Sequence, residues 1–336
     1  MVKKKNSSGE VTDKRLAGLA GLLAENATIV ISGARIAREI GVSRSTVWRW
    51  VTRLRELGVK VKGRAATGYF LEAVPDILTP DILRNRLKGS LFGKRVLHFF
   101  RTDSTNRVAF ELAHGGEEEG AVVIAEEQTA GRGRAGRTWI SERGTGIYVT
   151  LILRPRIAPV QAPLLTMMAG ISARGAVAGV TGLSVDLKWP NDLLVGGRKV
   201  GGILTEMHAE PTLVKFVIVG IGLNVNQDRF PAELGGVATS LRAETGKAQS
   251  RMEILVRLLR QFETDYREFL QKGPASVIAR FEEISSYARG KKVRVTTGAE
   301  SFAGVTAGLS GEGLLRVQRE DGSIFTVIAG DVEAAR

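Results

Sequence analysis

The sequence predicts an α+β chain of three domains: an N-terminal winged helix-turn-helix, a central mixed sheet with helices, and a C-terminal SH3-like small β-barrel. Three observations carry this. A helical stripe, a glycine turn and a serine-capped second helix open the chain. Strand-like runs that follow one another without an intervening helix fill its middle, which favours antiparallel pairing. Four short strands with Gly/Asp turns close it. The 336 residues suit two or three domains, and the expected boundaries are 1–75, 76–287 and 288–336.

In the first domain, Leu16 to Ala24 carries a helical apolar stripe. Ala34–Ile40 reads as a short helix and Gly41-Val42 as a turn. Ser43 sits where an N-cap belongs, since its hydroxyl can accept from the first free amides. Val47, Val51 and Leu54 follow at i, i+4 and i+7 and give one buried face. Gly58 suits the position just past a helix end. "VKVKGRAATGYFLE" then supplies two strands around a basic tip, the wing. The other face of the second helix offers Arg44, Ser45, Trp48, Arg49 and Arg53, which can reach base edges and phosphates in a major groove. Charge agrees with that reading. Net charge is +13. Residues 1–64 hold 14 Lys/Arg against 5 Asp/Glu, while residues 290–336 balance at 6 of each. A polyanion such as operator DNA is the expected partner of this end; an inert basic packing domain is the alternative.

Several chemistries are excluded or disfavoured. There are no cysteines, which removes disulfides, thiolate metal sites and thiol nucleophiles. His98, His114 and His208 lack ligand spacing, which argues against a His-based metal site or triad. No apolar run approaches the ~18 residues of a membrane span, and the basic start lacks a signal peptide's apolar segment. A cytoplasmic protein without a membrane partner is expected.

Pro75 and Pro80 mark a linker, with Thr79 expected to cap the next helix and Pro80 to occupy its first position. Strands are predicted at Arg95–Phe100, Ala121–Glu126, Gly146–Leu153, Ser184–Trp189, Lys199–Met207 and Lys215–Gly222. Helices are predicted at Thr105–Ala113, Val160–Val180 and Arg251–Lys272. Gly196-Gly197 should form a hairpin tip, because paired positive φ angles favour glycine there.

"GRGRAGRTW" begins with the spacing G-x-G-x-x-G, which suggests a dinucleotide fold. That fold demands a strand before, a helix after, and an acid about 20 residues on. The strand is there, but a β pattern follows and the chain then reads "RPRIA". What remains is a loop of Gly131, Gly133 and Gly136 with Arg132, Arg134 and Arg137. Glycines admit close backbone approach, and guanidinium forks match phosphate and carboxylate. A solvated basic loop or an RGG-like RNA tether would share this composition. A second segment, "KWPNDLLVGGRKVGGILTEM", places Lys188, Asn191, Asp192 and Lys199 on the hairpin. Asn191 and Asp192 could hold Mg²⁺ through hard oxygen ligands. Lys199 could set a compact positive charge beside a carboxylate and a phosphate. A turn aspartate and an edge-strand lysine are the plainer readings. A third segment, "VIVGIGLNVN", ends a buried strand in Asn224.

"DSTN" (Asp103–Asn106), "EEQTAGRGRAGRTW", "KWPNDLLVGGRKVGGILTEM" and "GIGLNVN" resemble the motifs of biotin–protein ligases. With the winged helix, nearly the whole chain resembles the bifunctional ligase and biotin operon repressor type. The resemblance implies a catalytic fold similar to class II aminoacyl-tRNA synthetases. It implies joining of biotin to ATP as biotinyl-5′-AMP, then acylation of one lysine of a biotin carboxyl carrier protein of acetyl-CoA carboxylase. By that resemblance Ser104, Thr105 and Asn106 contact the biotin head group, and Gln128 helps hold the ureido ring. Gly131, Arg132, Gly133 and Arg134 cover the adenylate. Lys199 bridges the biotin carboxylate and the α-phosphate. Asn191 and Asp192, beside Lys188, serve Mg²⁺, the phosphates or the incoming lysine. Gly202, Ile203 and Asn224 line the pocket. Lys199, Arg134 and Asp192 are the implied catalytic groups. The resemblance also implies a liganded homodimer that represses biotin genes. The chain departs from the family after Asn224, where a tryptophan often packs on adenine. Here "QDRFPAELGGVATSL" offers only Phe230. A lipoate–protein ligase and a regulator that senses a small acid without chemistry are the rival readings.

Overall fold

A computed structural model describes residues 6–26, 29–57, 59–64, 67–71 and 76–335. The first domain comprises α1 (Asn6–Glu25), α2 (Gly33–Ile40), α3 (Arg44–Glu56), β1 (Val61–Arg64) and β2 (Gly68–Leu71). Ser43 caps α3, its side chain accepting from the Thr46 amide, and Ser32 does the same for α2 through the Arg35 amide. Val47, Val51 and Leu54 are fully buried with Leu16, Leu19 and Leu23 of α1. β1 and β2 pair antiparallel as the wing, and an isolated bridge from Ile31 to Tyr69 lays a third segment beside β2. Gly58 and the wing-tip residues 65–66 lie outside the described residues, as does Pro75.

The middle of the chain holds α4 (Pro80–Arg86), β3 (Val96–Phe99), α5 (Thr105–His114), β4 (Val122–Ala125), β5 (Gly146–Leu153), α6 (Ala162–Thr181), β6 (Asp186–Lys188), β7 (Asp192–Val195), β8 (Arg198–Ala209), β9 (Val214–Asn224), α7 (Leu241–Thr245), α8 (Arg251–Lys272) and α9 (Pro274–Ile284). The seven strands form one sheet in the order β3-β4-β5-β9-β8-β7-β6. Only β3 with β4 is parallel. The remaining pairs are antiparallel. Alternate residues of β4 serve different cores. Val122 and Ile124 pack with α6 and α8, and Val123 packs with Ala109 and Ala113 of α5. Helices on both faces explain why β5 is buried at every position. Gly196 and Gly197 have φ of 56° and 77° at the β7–β8 tip, as the turn chemistry requires.

Four expectations need correction. Thr79 occupies the N-cap position of α4 without a side-chain cap bond. Its hydroxyl is turned toward Gly21 of α1 and is buried without a partner. The predicted helices omit α9, which Pro274 starts; proline at the first helical position sacrifices no intrahelical bond. The C-terminal sheet has five strands, not four: β10 (Arg289–Thr296), β11 (Ser301–Leu309), β12 (Leu315–Gln318), β13 (Ile324–Val327) and β14 (Asp331–Ala334). β14 returns to pair with β10, giving the order β13-β12-β11-β10-β14. Finally, Pro159–Thr181 is long and apolar enough to cross a membrane, but Leu164, Leu165 and Met168 bury it in the core between sheet and helices.

The C-terminal sheet shares the main core through Val293, Leu315 and Val327. Trp189 Nε1 donates to the Gly313 carbonyl at 2.9 Å. A second seam lies inside the middle domain, where its first residues meet the sheet and α8. Arg251, 1% exposed at the start of α8, donates to Glu126 Oε2 at 2.8 Å, to the Gly146 carbonyl at 3.1 Å and to Asp76 at 2.9 Å. Glu126 Oε1 accepts from the Leu78 amide at 2.9 Å and faces His98 Nε2 at 3.0 Å. Burial alone would raise the Glu126 pKa, but the Arg251 guanidinium and then His98 hold it down at about 2.

Candidate functional site

The antiparallel register lines up one row across four strands: Lys188 opposite Asp192, Asp192 opposite Gly202, Gly202 opposite Gly222. Two of these positions need glycine. A Cβ on Gly222 would stand 2.6 Å from the Trp139 ring, and one on Gly202 would stand 3.2 Å from Lys199 Cε and 3.3 Å from Trp139. The missing side chains leave a shelf on which the Trp139 indole and the Lys199 stem lie. Lys199 Nζ is 2.6 Å from Asp192 Oδ1 and 5.6 Å from the Trp139 ring centroid. Its backbone is held in place from the far side. The Lys199 amide donates to the Val237 carbonyl at 2.8 Å, and the Thr239 amide donates to the Lys199 carbonyl at 2.9 Å. Lys188 points to the rim, 6.0 Å from the Tyr287 ring centroid.

Above the shelf, residues 131–139 fold back as a tight hairpin. Arg132 bridges Thr138, and the Gly133 amide donates to the Arg137 carbonyl at 2.7 Å. Ala135 and Gly136 at the tip have φ of 52° and 74°. Ala135 is the one non-glycine among the described residues in that region, a strained position of the sort that collects at ligand clamps. Each guanidinium has a partner. Arg132 reaches Glu206, Arg134 donates to Asn191 Oδ1 at 3.2 Å, and Arg137 pairs with Asp331 at the start of β14. Burial lowers the pKa of Arg134, and Asp192 and Asp331 oppose that fall. Asn191 is itself fixed to β8, its side-chain amide donating to the Ile203 carbonyl at 2.9 Å.

The start of α5 closes one side. Ser104, Thr105 and Asn106 are all buried there. Gln128 Oε1 accepts from the Thr105 amide at 2.8 Å and from its hydroxyl at 3.0 Å, and Gln128 Nε2 donates to Ser141 at 2.8 Å. Asn106 Oδ1 accepts from Thr150 at 2.8 Å. The fold thus brings together Ser104, Thr105, Asn106 and Gln128 on one side, and Lys188, Asn191, Asp192, Lys199 and Gly202 on the other, under the hairpin of Gly131, Arg132, Gly133 and Arg134. Two residues turn elsewhere. The Ile203 side chain faces Gly170 of α6, and Asn224 donates to the Thr239 carbonyl at 3.1 Å while accepting from Gln227. Sequence reasoning gave no role to Trp139, Thr150, Ser141, Glu206 or Asp331. Trp139 stood in the quoted motif; its indole Nε1 is buried and without a partner. The others are hydrogen-bond partners that only tertiary structure reveals.

The second candidate surface is α3. Arg44, Ser45, Trp48, Arg49 and Arg53 are all exposed on the face opposite Val47 and Val51. Trp48 is 60% exposed, unusual for so large an apolar ring. Arg49 donates to Thr46 at 3.2 Å and Arg53 pairs with Glu56 at 2.8 Å. These exposed contacts are weak enough to yield to a phosphate.

Comparison with known proteins bears on the family and the fold. Residues 99–224 match the model of the biotin/lipoate A/B protein ligase family, residues 15–70 an HTH domain, and residues 290–334 the biotin protein ligase C-terminal domain. The bifunctional ligase/repressor BirA of Bacillus spizizenii is 37% identical over 94% of this chain and 97% of its own length. The BirA of Bacillus subtilis is 38% identical over 90% and 93%. A structure of the biotin protein ligase from Aquifex aeolicus in complex with biotin and ATP superposes with a TM-score of 0.62 at 31% identity, covering 72% of this chain and 99% of that one. The shared winged helix, the shared catalytic sheet and a near full-length match identify the chain as a member of the biotin/lipoate A/B protein ligase family, of the bifunctional ligase/repressor kind.

Proposed function

We propose that this protein activates biotin with ATP to biotinyl-5′-AMP, transfers the biotinyl group to one lysine of a biotin carboxyl carrier protein, and represses biotin genes through its winged helix. The observation that carries the ligase reading is the Lys199 ammonium standing over the glycine shelf beneath an arginine hairpin. A carboxylate attacking an α-phosphate brings two anions together. The chain answers with Lys199 at the shelf and Arg132 and Arg134 above it; no covalent nucleophile is needed. Asp192 holds the Lys199 ammonium at its post. The buried amides and hydroxyls of Ser104, Thr105, Asn106 and Gln128 suit a polar bicyclic head group. A mixed anhydride hydrolyses readily, and a hairpin folded over it excludes water.

Among the described residues no three His, Cys, Asp or Glu side chains form an all-protein metal site. One carboxylate plus substrate phosphates is, however, a usual donor set for Mg²⁺, and Asp192 is the residue that would hold it. Magnesium would there neutralise phosphate charge. The three-part division 1–75, 76–287 and 288–336 then separates operator binding, chemistry and a C-terminal domain that meets the hairpin through Asp331. We read the liganded species as a cytoplasmic homodimer, with two winged helices meeting a two-part operator.

Lys199→Ala should lower biotin-dependent ATP–pyrophosphate exchange by about 10³-fold or more; exchange near the wild-type rate would overturn the assignment. Calorimetry with biotin against lipoate separates the two substrates that the family name joins. A gel shift showing equal operator affinity with and without biotin and ATP would remove the repressor half.

A further inference from the structure

Glu206 has no role in the chemistry above, yet it touches both halves of the site. It lies on β8 four residues beyond Gly202 and on the same face. The intervening odd-numbered residues turn to α6, where Ile203 packs near Gly170 and Thr205 is hydrogen-bonded to Thr166 at 2.8 Å. Glu206 Oε2 accepts from Asn106 Nδ2 at 2.8 Å, and both carboxylate oxygens face Arg132 Nη2, at 3.1 and 3.2 Å. Asn106 is otherwise committed, to the Leu204 carbonyl at 3.1 Å and to Thr150 at 2.8 Å. A single carboxylate on a rigid strand therefore joins the α5 wall of the pocket to the hairpin that covers it.

We propose that Glu206 is a positioning residue that selects the closed hairpin by holding Arg132 over the pocket. Ordering a glycine-rich loop costs backbone entropy. A fixed carboxylate offsets part of that cost before any ligand arrives, so less of the ligand's binding energy is spent on closure. One guanidinium carries five donors, so the bond to Glu206 leaves Arg132 others for an anionic ligand. The Glu206 and Arg132 side chains are 29% and 49% exposed, which makes the pair moderate in strength, sensitive to salt, and reversible.

This inference rests on the ligase reading for its effect on the intermediate, but not for its effect on the hairpin. Two arms keep the two apart. In the ligand-free full-length protein, Glu206→Gln retains an acceptor for Asn106 while removing the charge. Amide hydrogen exchange of residues 131–139 should then be about fivefold faster, the range of a partly exposed ion pair. In the presence of biotin and ATP, the same variant should lose its adenylate about fivefold faster, with the rate of adenylate formation within twofold of wild type. In the exchange arm Arg132→Gln should speed residues 131–139 to the same degree, and the double variant should exchange no faster than either. Wild-type loss should rise with salt and converge on that of the variant. If Glu206→Gln perturbs folding, Arg132→Gln, which changes only the exposed partner, carries the exchange measurement. Additive effects of the two substitutions, or unchanged exchange in Glu206→Gln, would overturn the proposal. Failure to form any adenylate would sink the ligase reading, with the exchange arm still deciding the role of Glu206.

Discussion

Two clusters in this molecule use the same chemistry, arginine against carboxylate, to opposite ends. At the inner seam of the middle domain, Arg251, Glu126, Asp76 and His98 form a network in which Arg251 and Glu126 are 1% and 3% exposed. At the hairpin, Arg132 and Arg137 reach Glu206 and Asp331 from positions open to water, while half-buried Arg134 donates to the Asn191 amide oxygen. Burial separates them. A desolvated pair cannot lose one partner without stranding a charge; a solvated pair exchanges its partner for water at little cost. The seam is built to stay, and the hairpin to let go. Moving parts of a binding site are drawn from weakly held structure by necessity, and here one residue type supplies both kinds.

The largest expected effect breaks the buried side of this contrast. Arg251→Met should destabilise the fold by about 3–5 kcal/mol in urea unfolding, because the buried Glu126 charge loses its guanidinium and keeps only His98 and the Leu78 amide. A loss under 1 kcal/mol would mean that the seam is no stronger than the hairpin.

Acid gives the next effect. The Arg251 guanidinium and His98 hold the Glu126 carboxyl down at about 2, below the ordinary 4.5 of a glutamate. A depressed carboxylate contributes fully above its unfolded pKa and loses that contribution as pH falls through the folded one. About 3 kcal/mol should therefore disappear between roughly pH 4.5 and pH 2. Unfolding of wild type and Glu126→Gln compared across that window isolates this group, and the stability gap between them should shrink as pH falls. A gap independent of pH would show that Glu126 is not ionised in the folded protein.

The smallest effect sharpens the solvated side. Arg137→Ala should change stability by less than about 1 kcal/mol and still increase labelling of bystander lysines in a biotinylation assay, since its link to Asp331 anchors the hairpin. Arg134→Gly should leak in the same way while adenylation continues. Unchanged selectivity in both would separate hairpin closure from protection of the intermediate.

What was legible in the sequence follows how local each cause is. β5 and α8 were placed to the residue. A β-branched, largely apolar run interrupted only by Thr150 fixes the first, and Ser250 with Lys272 and Gly273 punctuates the second. α9 was missed because the Gly273-Pro274 pair reads as a stop, when glycine ended one helix and proline began another. β14 was missed because four residues with one buried side chain carry almost no period, and their partner β10 lies more than thirty residues upstream. The glycines and cations of the site were readable because a ligand imposes them on short segments. Glu206 and Asp331 were not, since nothing local marks a carboxylate that answers an arginine 74 or 194 residues away.

Phe100 follows β3 of the catalytic sheet, yet its ring is buried in the hydrophobic core of the winged helix and stands edge-on to His98 at 4.9 Å. The head is thus seated on the body rather than hung from a tether. Any spacing between two recognition helices on a double helix would then be dictated by how two bodies meet, and lengthening the stretch near Asp76 would do little to change the operator a pair could straddle.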